Sequence, residues 1–593
     1  MSNIESLFSD LRDKLDDGLQ WYDLPKALGL LWLLKLRDEL REKNLFDTED
    51  PPFEENPDLN ATPQEKVSYR SYDGSYNDLK FPRMGAAGTR FGRNFSLDRV
   101  NPDTARLMDP SPRLISRKLL TREKFQPVEY LNLTATAWVQ FMVHDWVAHK
   151  PGRNEDAYEI PLEEGDPWPE REMRLPRTPA EPARKDGLPT YANINSHWWD
   201  ASQIYGNDEA TARKLRSGRD GKMKMGEEAR LPLDVDGVEL TGFSDNWWIG
   251  LSMLHALFVS EHNAICDRLR QAYPDWPDER LFQQARLINS ALLAKIHTAE
   301  WTPAMLPHPT VAAALRLNWA GVAGEALQEE FEFLDDSEIL GGIVGTTPDH
   351  HSAPFSLTEE FVAIYRMHPL MPDDFIFYSL ETGRQIGAAT LPEVSLGNTR
   401  GILEEYTMDD LFYSFGLAHP GMLRLFNYPR HLQFLRKDDG SVLDLAAIDI
   451  LRDRERGIPR YNDFRQMLRL ERVNTFEEMT GDKELARKME AVYGDVDKVD
   501  LMTGAYAEPL IKGFGFSETA FRIAIVMASR RLKSDRFLTS SFNDEVYTQI
   551  GMDWIRENSM LTVLLRHHPA LEPAVRDLDN AFSPWHALTD NLG

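Results

Sequence analysis

Apolar residues recur at helical spacing through most of this chain, and that pattern constrains its fold more than any other feature. Leu133 to Trp146, Met253 to Arg270 and Glu279 to Trp301 each hold the spacing over several turns. Ser517 reads as the N-cap of a helix through Arg531. Ser356-Leu357-Thr358-Glu359 fits a capping box opening a shorter helix through Met367. Strand signals are few and short, and no period suggests a solenoid or propeller. Residues 48–105 break the helical pattern with Pro, Gly, Asn and Asp, and read as an extended arm. Residues 151–190 do so again, as a long surface excursion. The expected fold is mainly α, with few short strands: an N-terminal helix and arm over 1–105, then one large body over 106–593.

A sequence of 593 residues, 42% of them hydrophobic, is enough to build a large core. Cys266 is the single cysteine, which excludes an internal disulfide framework, a cysteine zinc site and an iron–sulfur cluster. It reads as a small buried hydrophobe. A net charge of −28, with no basic cluster to offset it, repels nucleic acid and anionic membranes. Met1-Ser2-Asn3-Ile4-Glu5 shows no secretory signal. The apolar run Ala27 to Leu34 is far shorter than the roughly 20 residues of a spanning helix. A core helix is the favoured reading there, with loose membrane association the minority one. A cytoplasmic monomer is expected.

Tyr365 stands three residues before His368 in Tyr365-Arg366-Met367-His368-Pro369-Leu370. On one helix face, i and i+3 are neighbours. An imidazole there can ligate a haem iron while the phenol stands near the porphyrin edge. A phenoxyl radical can take hydrogen from an unactivated C–H bond, which is cofactor chemistry that a bare protein lacks. Gln140-Phe141-Met142-Val143-His144-Asp145-Trp146 sets Gln140 and His144 at i and i+4, so both can face one pocket. A neutral histidine above a haem can take a proton from peroxide, and a nearby amide can steady bound oxygen species.

These two segments resemble the distal and proximal motifs of the peroxidase–cyclooxygenase superfamily, in the branch that oxygenates fatty acids. The resemblance implies the animal haem-peroxidase/cyclooxygenase fold, with His144 distal and His368 the axial ligand of haem b. Ser196-His197-Trp198-Trp199-Asp200-Ala201-Ser202 resembles the superfamily's calcium loop. It implies calcium held by Ser196, Trp198 through its main chain, Asp200 and Ser202, joined by Asp145. Calcium takes six to eight oxygens, and this alternation supplies most of them. Arg452 to Asn462 resembles a further signature. A few residues earlier, where the family has an asparagine that orients the proximal histidine, the resemblance places Asp449, which can raise ligand basicity. Phe243 to Trp248 lacks the arginine and glutamate of halide-oxidising peroxidases, which implies non-covalent haem.

Lys295 to Thr302, and Ser517 to Leu532, are similar to the fatty-acid α-dioxygenases. That resemblance implies a substrate carboxylate held by His297, Thr302 and Arg531, with Arg530 and Arg536 as competitors. Arginine's planar fork suits a carboxylate. The resemblance spans about residue 90 to the C-terminus. It implies an enzyme whose partners are a fatty acid, O2 and an activating peroxide. Tyr365 would take hydrogen from C2, and O2 would add to give a 2-hydroperoxy acid that can decarboxylate to a shortened aldehyde. Three alternatives stay open: a mid-chain dioxygenase of the linoleate type, a plain haem peroxidase, and a catalytically silent haem-binding protein.

Overall fold

The computed structural model describes residues 20–588, apart from 183, 236, 322–337, 339–341 and 438–439. The helices that build the site are α1 (Lys26–Lys43), α2 (Thr134–Trp146), α3 (Ile249–Ala272), α4 (Asp278–Ile296), α5 (Pro309–Ala320), α6 (Glu359–Ile364), α7 (Leu445–Glu455), α8 (Leu501–Ala507) and α9 (Glu518–Ser534). Among the described residues the strands form three two-stranded antiparallel pairs. They are β1 (Ala157–Ile160) with β2 (Met173–Pro176), β3 (Asp374–Tyr378) with β4 (Gln385–Thr390), and β5 (Leu435–Arg436) with β6 (Val442–Leu443). The mainly α expectation holds.

α2 is apolar and buried on nearly every face, the pattern of a helix with no solvent side. α3 lies along it, with Phe258 against Trp138 and Phe141 at 5.6 and 5.7 Å. Gly250 permits that approach: a Cβ there would stand 2.9 Å from the Cβ of Ala137. α4 returns along α3, and α6 packs on α9. The N-terminal segment belongs to the same core. Trp21 is buried in it, and α1 packs on α5 and α9. The arm is pinned where Arg70 pairs with Asp535 at 2.9 Å and Asp200 at 3.2 Å. The 151–190 excursion is stapled by β1–β2 over a small satellite core containing Trp168 and Leu451. Among the described residues no helix is long and apolar enough to cross a membrane. Cys266 is buried, and its thiol donates to the Gly221 carbonyl at 3.3 Å.

Three helix boundaries differ from the sequence expectation, and all three touch the site. The N-cap of α6 is Thr358, not Ser356: its hydroxyl accepts from the Phe361 N–H at 3.2 Å. α6 stops at Ile364, so Tyr365 and His368 do not share an α-helix face; Tyr365 caps it and His368 opens a separate 3₁₀ turn, His368–Leu370. Pro369 keeps the α-helix from running on through this segment: it has no N–H to give to the Tyr365 carbonyl. Finally, α4 does not continue to Trp301 but widens into a π-helical turn over His297–Trp301.

Candidate active site

On one side of the site, His368 Nδ1 is bonded to Asp449 Oδ2 at 2.7 Å. Asp449 also accepts from the Tyr428 hydroxyl at 3.0 Å and from Arg366 at 2.8 Å. Arg366 reaches on to Asp453 at 2.8 Å. The Asp449 carboxyl is buried, yet His368 and Arg366 hold its pKa below the ordinary value against the desolvation that would raise it. This fixes Nδ1 as the proton-bearing atom and leaves Nε2 with no hydrogen bond among the described residues. The His368 side chain keeps 37% of its surface accessible although it sits inside the body, so Nε2 borders space rather than packed protein.

A second histidine, His144, stands near the end of α2. Its Nδ1 is buried without a partner, and desolvation pulls its pKa down to about 4, so the imidazole is neutral at pH 7. Like His368 it retains accessible surface inside the protein. An imidazole held by a carboxylate with its other nitrogen open, and a neutral imidazole with an unpartnered nitrogen, are the kind of donor set that would hold and serve an iron porphyrin. Gln140 is already engaged. Its amide oxygen accepts from Trp248 at 2.8 Å and one amide N–H goes to the Asn246 carbonyl at 3.1 Å. One N–H is left over.

The loop after Asn195 folds against the end of α2. Asp145 Oδ1 accepts from the Ser202 N–H at 2.5 Å, and Ser196 donates to Asp200 Oδ2 at 2.5 Å. Ser196 Oγ also accepts from the Trp198 N–H at 3.1 Å. Desolvation raises the pKa of both aspartates. Asp145 is pushed up to about 7, with the charge of Asp200 adding to the effect of burial. The Ser202 hydroxyl is buried with no partner. Two neighbouring buried carboxylates, one at the end of α2 and one on the loop, with an orphaned hydroxyl on that loop, fit an oxygen-liganded divalent cation.

The third cluster centres on Arg531. Its guanidinium carbon lies 3.7 Å from the Trp146 ring centre and 3.9 Å from that of Trp199. The residue is 1% exposed, and its Nε and Nη2 have no hydrogen-bond partner. Burial lowers its pKa to about 9 against the opposing charges of Asp145 and Asp535, so it stays charged at neutral pH. Arg530 and Arg536 are different. Arg530 donates to the carbonyls of Ala353, Pro354 and Ser356, and Arg536 to those of Val67, Tyr76 and Asn77. His297 lies in the π turn, stacked on Trp301 at 4.8 Å and edge-on to Trp146 at 4.9 Å. Its Nδ1 accepts from the Trp138 indole at 3.3 Å, and burial keeps the ring neutral, so the proton sits on Nε2. Thr302 turns its hydroxyl back onto the His297 carbonyl at 2.8 Å. Tyr365 closes the group. Its ring lies 5.9 Å from that of Trp146 and 4.6 Å from that of Phe361, and burial raises its phenol to about 12.

The fold and the paired imidazoles define a haem-peroxidase type of body, and comparison with known proteins agrees. The animal haem peroxidase family model matches residues 69–579. The chain is 39% identical to the α-dioxygenase PIOX of Oryza sativa, over 96% of this chain and 93% of that protein. It is 37% identical to α-dioxygenase 1 of Arabidopsis thaliana, over 97% and 92%. Among solved structures, a tyrosine-to-phenylalanine variant of the Oryza sativa fatty acid α-dioxygenase with palmitic acid superposes with a TM-score of 0.91 at 36% identity, covering 98% of this chain and 97% of that one. The chain therefore belongs to the animal haem peroxidase family, on its α-dioxygenase branch.

Several residues of the site escaped sequence reasoning. Trp146 and Trp199 lie inside the quoted motifs, yet nothing in a linear pattern says that they enclose an arginine far along the sequence. Tyr428 had no signal at all, and Asp453 lay in the Arg452 to Asn462 segment with nothing to mark its role. They reach the site through contacts with Asp449 and Arg366 that only the fold creates.

Proposed function

We propose that this chain is a haem-dependent fatty-acid α-dioxygenase that adds O2 at C2 of its substrate. One observation carries the regiochemistry: Trp146 touches Tyr365, Arg531 and His297 together. The phenol and the anion clamp thus share one wall, and C2 is the carbon next to the carboxylate. Arg531 offers Nε and Nη2 donors from a dry pocket, where charge-assisted hydrogen bonds are strong. His297 offers Nε2–H. The Thr302 proton is committed to its own helix, so Thr302 acts as an acceptor or as packing.

Haem b would be held without a covalent link, with His368 as its protein ligand and His144 as the neighbouring base. When bound, it supplies with peroxide the one-electron oxidant that the protein lacks. The protein's own residues do the rest. Asp449 keeps the proton of His368 on Nδ1 and raises the basicity of Nε2. Neutral His144 accepts a proton from peroxide, with Gln140 beside it. Tyr365, oxidised to a phenoxyl radical, takes a hydrogen atom from C2. O2 adds to the carbon radical, and the peroxyl radical recovers a hydrogen atom from Tyr365, which renews the phenoxyl. The 2-hydroperoxy acid then yields an aldehyde one carbon shorter, CO2 and water. Positioning selects C2, because the C–H bonds along a fatty tail differ little in strength and only a near-attack carbon reacts. Calcium, bound by Asp145, Ser196, Trp198, Asp200 and Ser202, would brace the residue next to His144.

The test is oxygen uptake by haem-loaded protein with palmitate, followed by mass spectrometry of the product. The expected product is the 2-hydroperoxide or the aldehyde one carbon shorter. Tyr365→Phe should keep haem and lose uptake. Mid-chain products from linoleate with no turnover of palmitate would replace this reading with the linoleate type. Full uptake by the phenylalanine variant would remove the radical role.

A further inference from the structure

A phenoxyl radical beside an indole is ordinarily short-lived, because phenols and indoles lose an electron at similar potentials. Tyr365 has such a neighbour: Trp146 stands edge-on to it at 5.9 Å between ring centres. Trp199 lies 5.1 Å beyond, edge-on to Trp146. The natural fate of the radical is therefore to leak into this pair. For that, the Tyr365 oxygen gains an electron from the indole and a proton. The indole is left as a radical cation, or as a neutral radical if its N–H proton departs.

Two features of this structure oppose these routes. Arg531 sets its cation against both indoles, 3.7 and 3.9 Å from their ring centres, so positive charge on either ring faces a guanidinium. No carboxylate forms an ion pair with Arg531 among the described residues. The neutral route is closed too. The Nε1 of Trp146 and of Trp199 are both buried with no hydrogen-bond partner, so no base receives the proton. Other indoles around the site are bonded: Trp138 to His297 Nδ1 at 3.3 Å, Trp301 to the Ala135 carbonyl at 2.9 Å.

We propose that Arg531, Trp146 and Trp199 form an electrostatic insulator that confines the radical to Tyr365 while the site waits for substrate. The inference rests on the radical role proposed for Tyr365. It gives Arg531 a second task besides holding a carboxylate, and it gives the indoles a positioning role rather than a redox one. The timing is built in. An arriving carboxylate neutralises the guanidinium and relaxes the barrier, but it also delivers the C–H bond that consumes the radical.

The test uses haem-loaded protein mixed with hydrogen peroxide without fatty acid. Freeze-quench electron paramagnetic resonance reads where the spin resides, and peptide mass mapping reads oxygenated tryptophan. Wild type should show a tyrosyl signal that Tyr365→Phe removes, with little oxidation of Trp146 or Trp199. Arg531→Gln should move spin to tryptophan and raise oxidation of these two residues by about tenfold or more, the scale of a lost desolvated cation–π contact. Trp146→Phe in that background should return the spin to tyrosine. Arg531→Lys, which retains a cation, should stay near wild type and guards against a folding defect in the glutamine variant. Unchanged tryptophan oxidation in Arg531→Gln, or equal oxidation in the lysine and glutamine variants, overturns the proposal. A wild type with no Tyr365-dependent signal would instead sink the radical reading beneath it.

Discussion

At the scale of single residues, the site is decided by which polar atoms lack partners. Arg530 and Arg531 are neighbours on α9, and one step along a helix rotates the direction of a residue by about 100° around the axis. One faces main-chain carbonyls; the other faces two indoles and leaves two guanidinium nitrogens without a partner. The residues alone did not separate them, since both sit in a run that suits either role; the family resemblance favoured Arg531. Their variants should separate them in solution. Arg531→Gln should raise the apparent KM for palmitate by about 10- to 100-fold, the loss of a charged hydrogen bond of roughly 1.5–3 kcal/mol, and leave the haem absorbance band in place. Arg530→Gln should leave KM within error but lower the melting temperature, because three buried carbonyls lose their donor. Steady-state oxygen uptake and thermal melts on both variants check this. Asp449 makes a comparable case on the other side. Asp449→Asn removes the negative charge behind His368, so haem should bind about 10- to 100-fold more weakly, as measured by haem titration of apoprotein.

At the scale of elements, the helices were largely legible because periodicity survives in long buried segments. α2, α3 and α9 lie within a few residues of where their spacing put them. The places where the reading failed are those where a local rule interrupts the period. Pro369 ends the run that would have carried Tyr365 and His368 on one helix. The π turn at His297–Trp301 adds a residue to one turn of α4 without any glycine or proline to announce it, and such widened turns occur often at functional sites. The capping box was misplaced because Ser356 and Thr358 both suit the role, and tertiary contact chose. The Thr358 hydroxyl holds the Phe361 N–H and is also bonded to Asn94 Oδ1 at 2.5 Å. Thr358→Ala should therefore cost about 1–2 kcal/mol. A lowered denaturation midpoint should come with an unchanged position of C2 oxygenation, since α6 is still packed on α9. A shift in product position would mean instead that the cap sets the aim of Tyr365.

At the scale of the whole molecule, the loop over residues 196–202 joins parts that are far apart in sequence. Asp200 bonds Arg70 of the N-terminal arm, which also pairs with Asp535 at the end of α9; Asp145 lies near the end of the helix that carries His144. The alternation of oxygen-bearing residues over 196–202 was visible in the sequence, whereas the ion pair between Arg70 and Asp200 was not. Without metal, Asp145 and Asp200 hold protons more tightly in the folded protein than in the unfolded state, Asp145 with a pKa of about 7. Between the ordinary aspartate value of about 3.9 and that value, the unfolded state ionises first. The stability of chelated protein should therefore fall as pH rises through this window. Calcium reverses the slope, because the metal needs both carboxylates ionised and binds more tightly as they lose their protons. Melting curves with calcium and with a chelator should lie close together near pH 5 and diverge steadily up to pH 7 and beyond, the calcium form melting higher. Restoring calcium at pH 7.5 should recover the gap, and the rate of reaction with peroxide should recover with it if the ion steadies His144. Superimposed curves at every pH would mean that Arg70 alone satisfies the loop and that no cation belongs there.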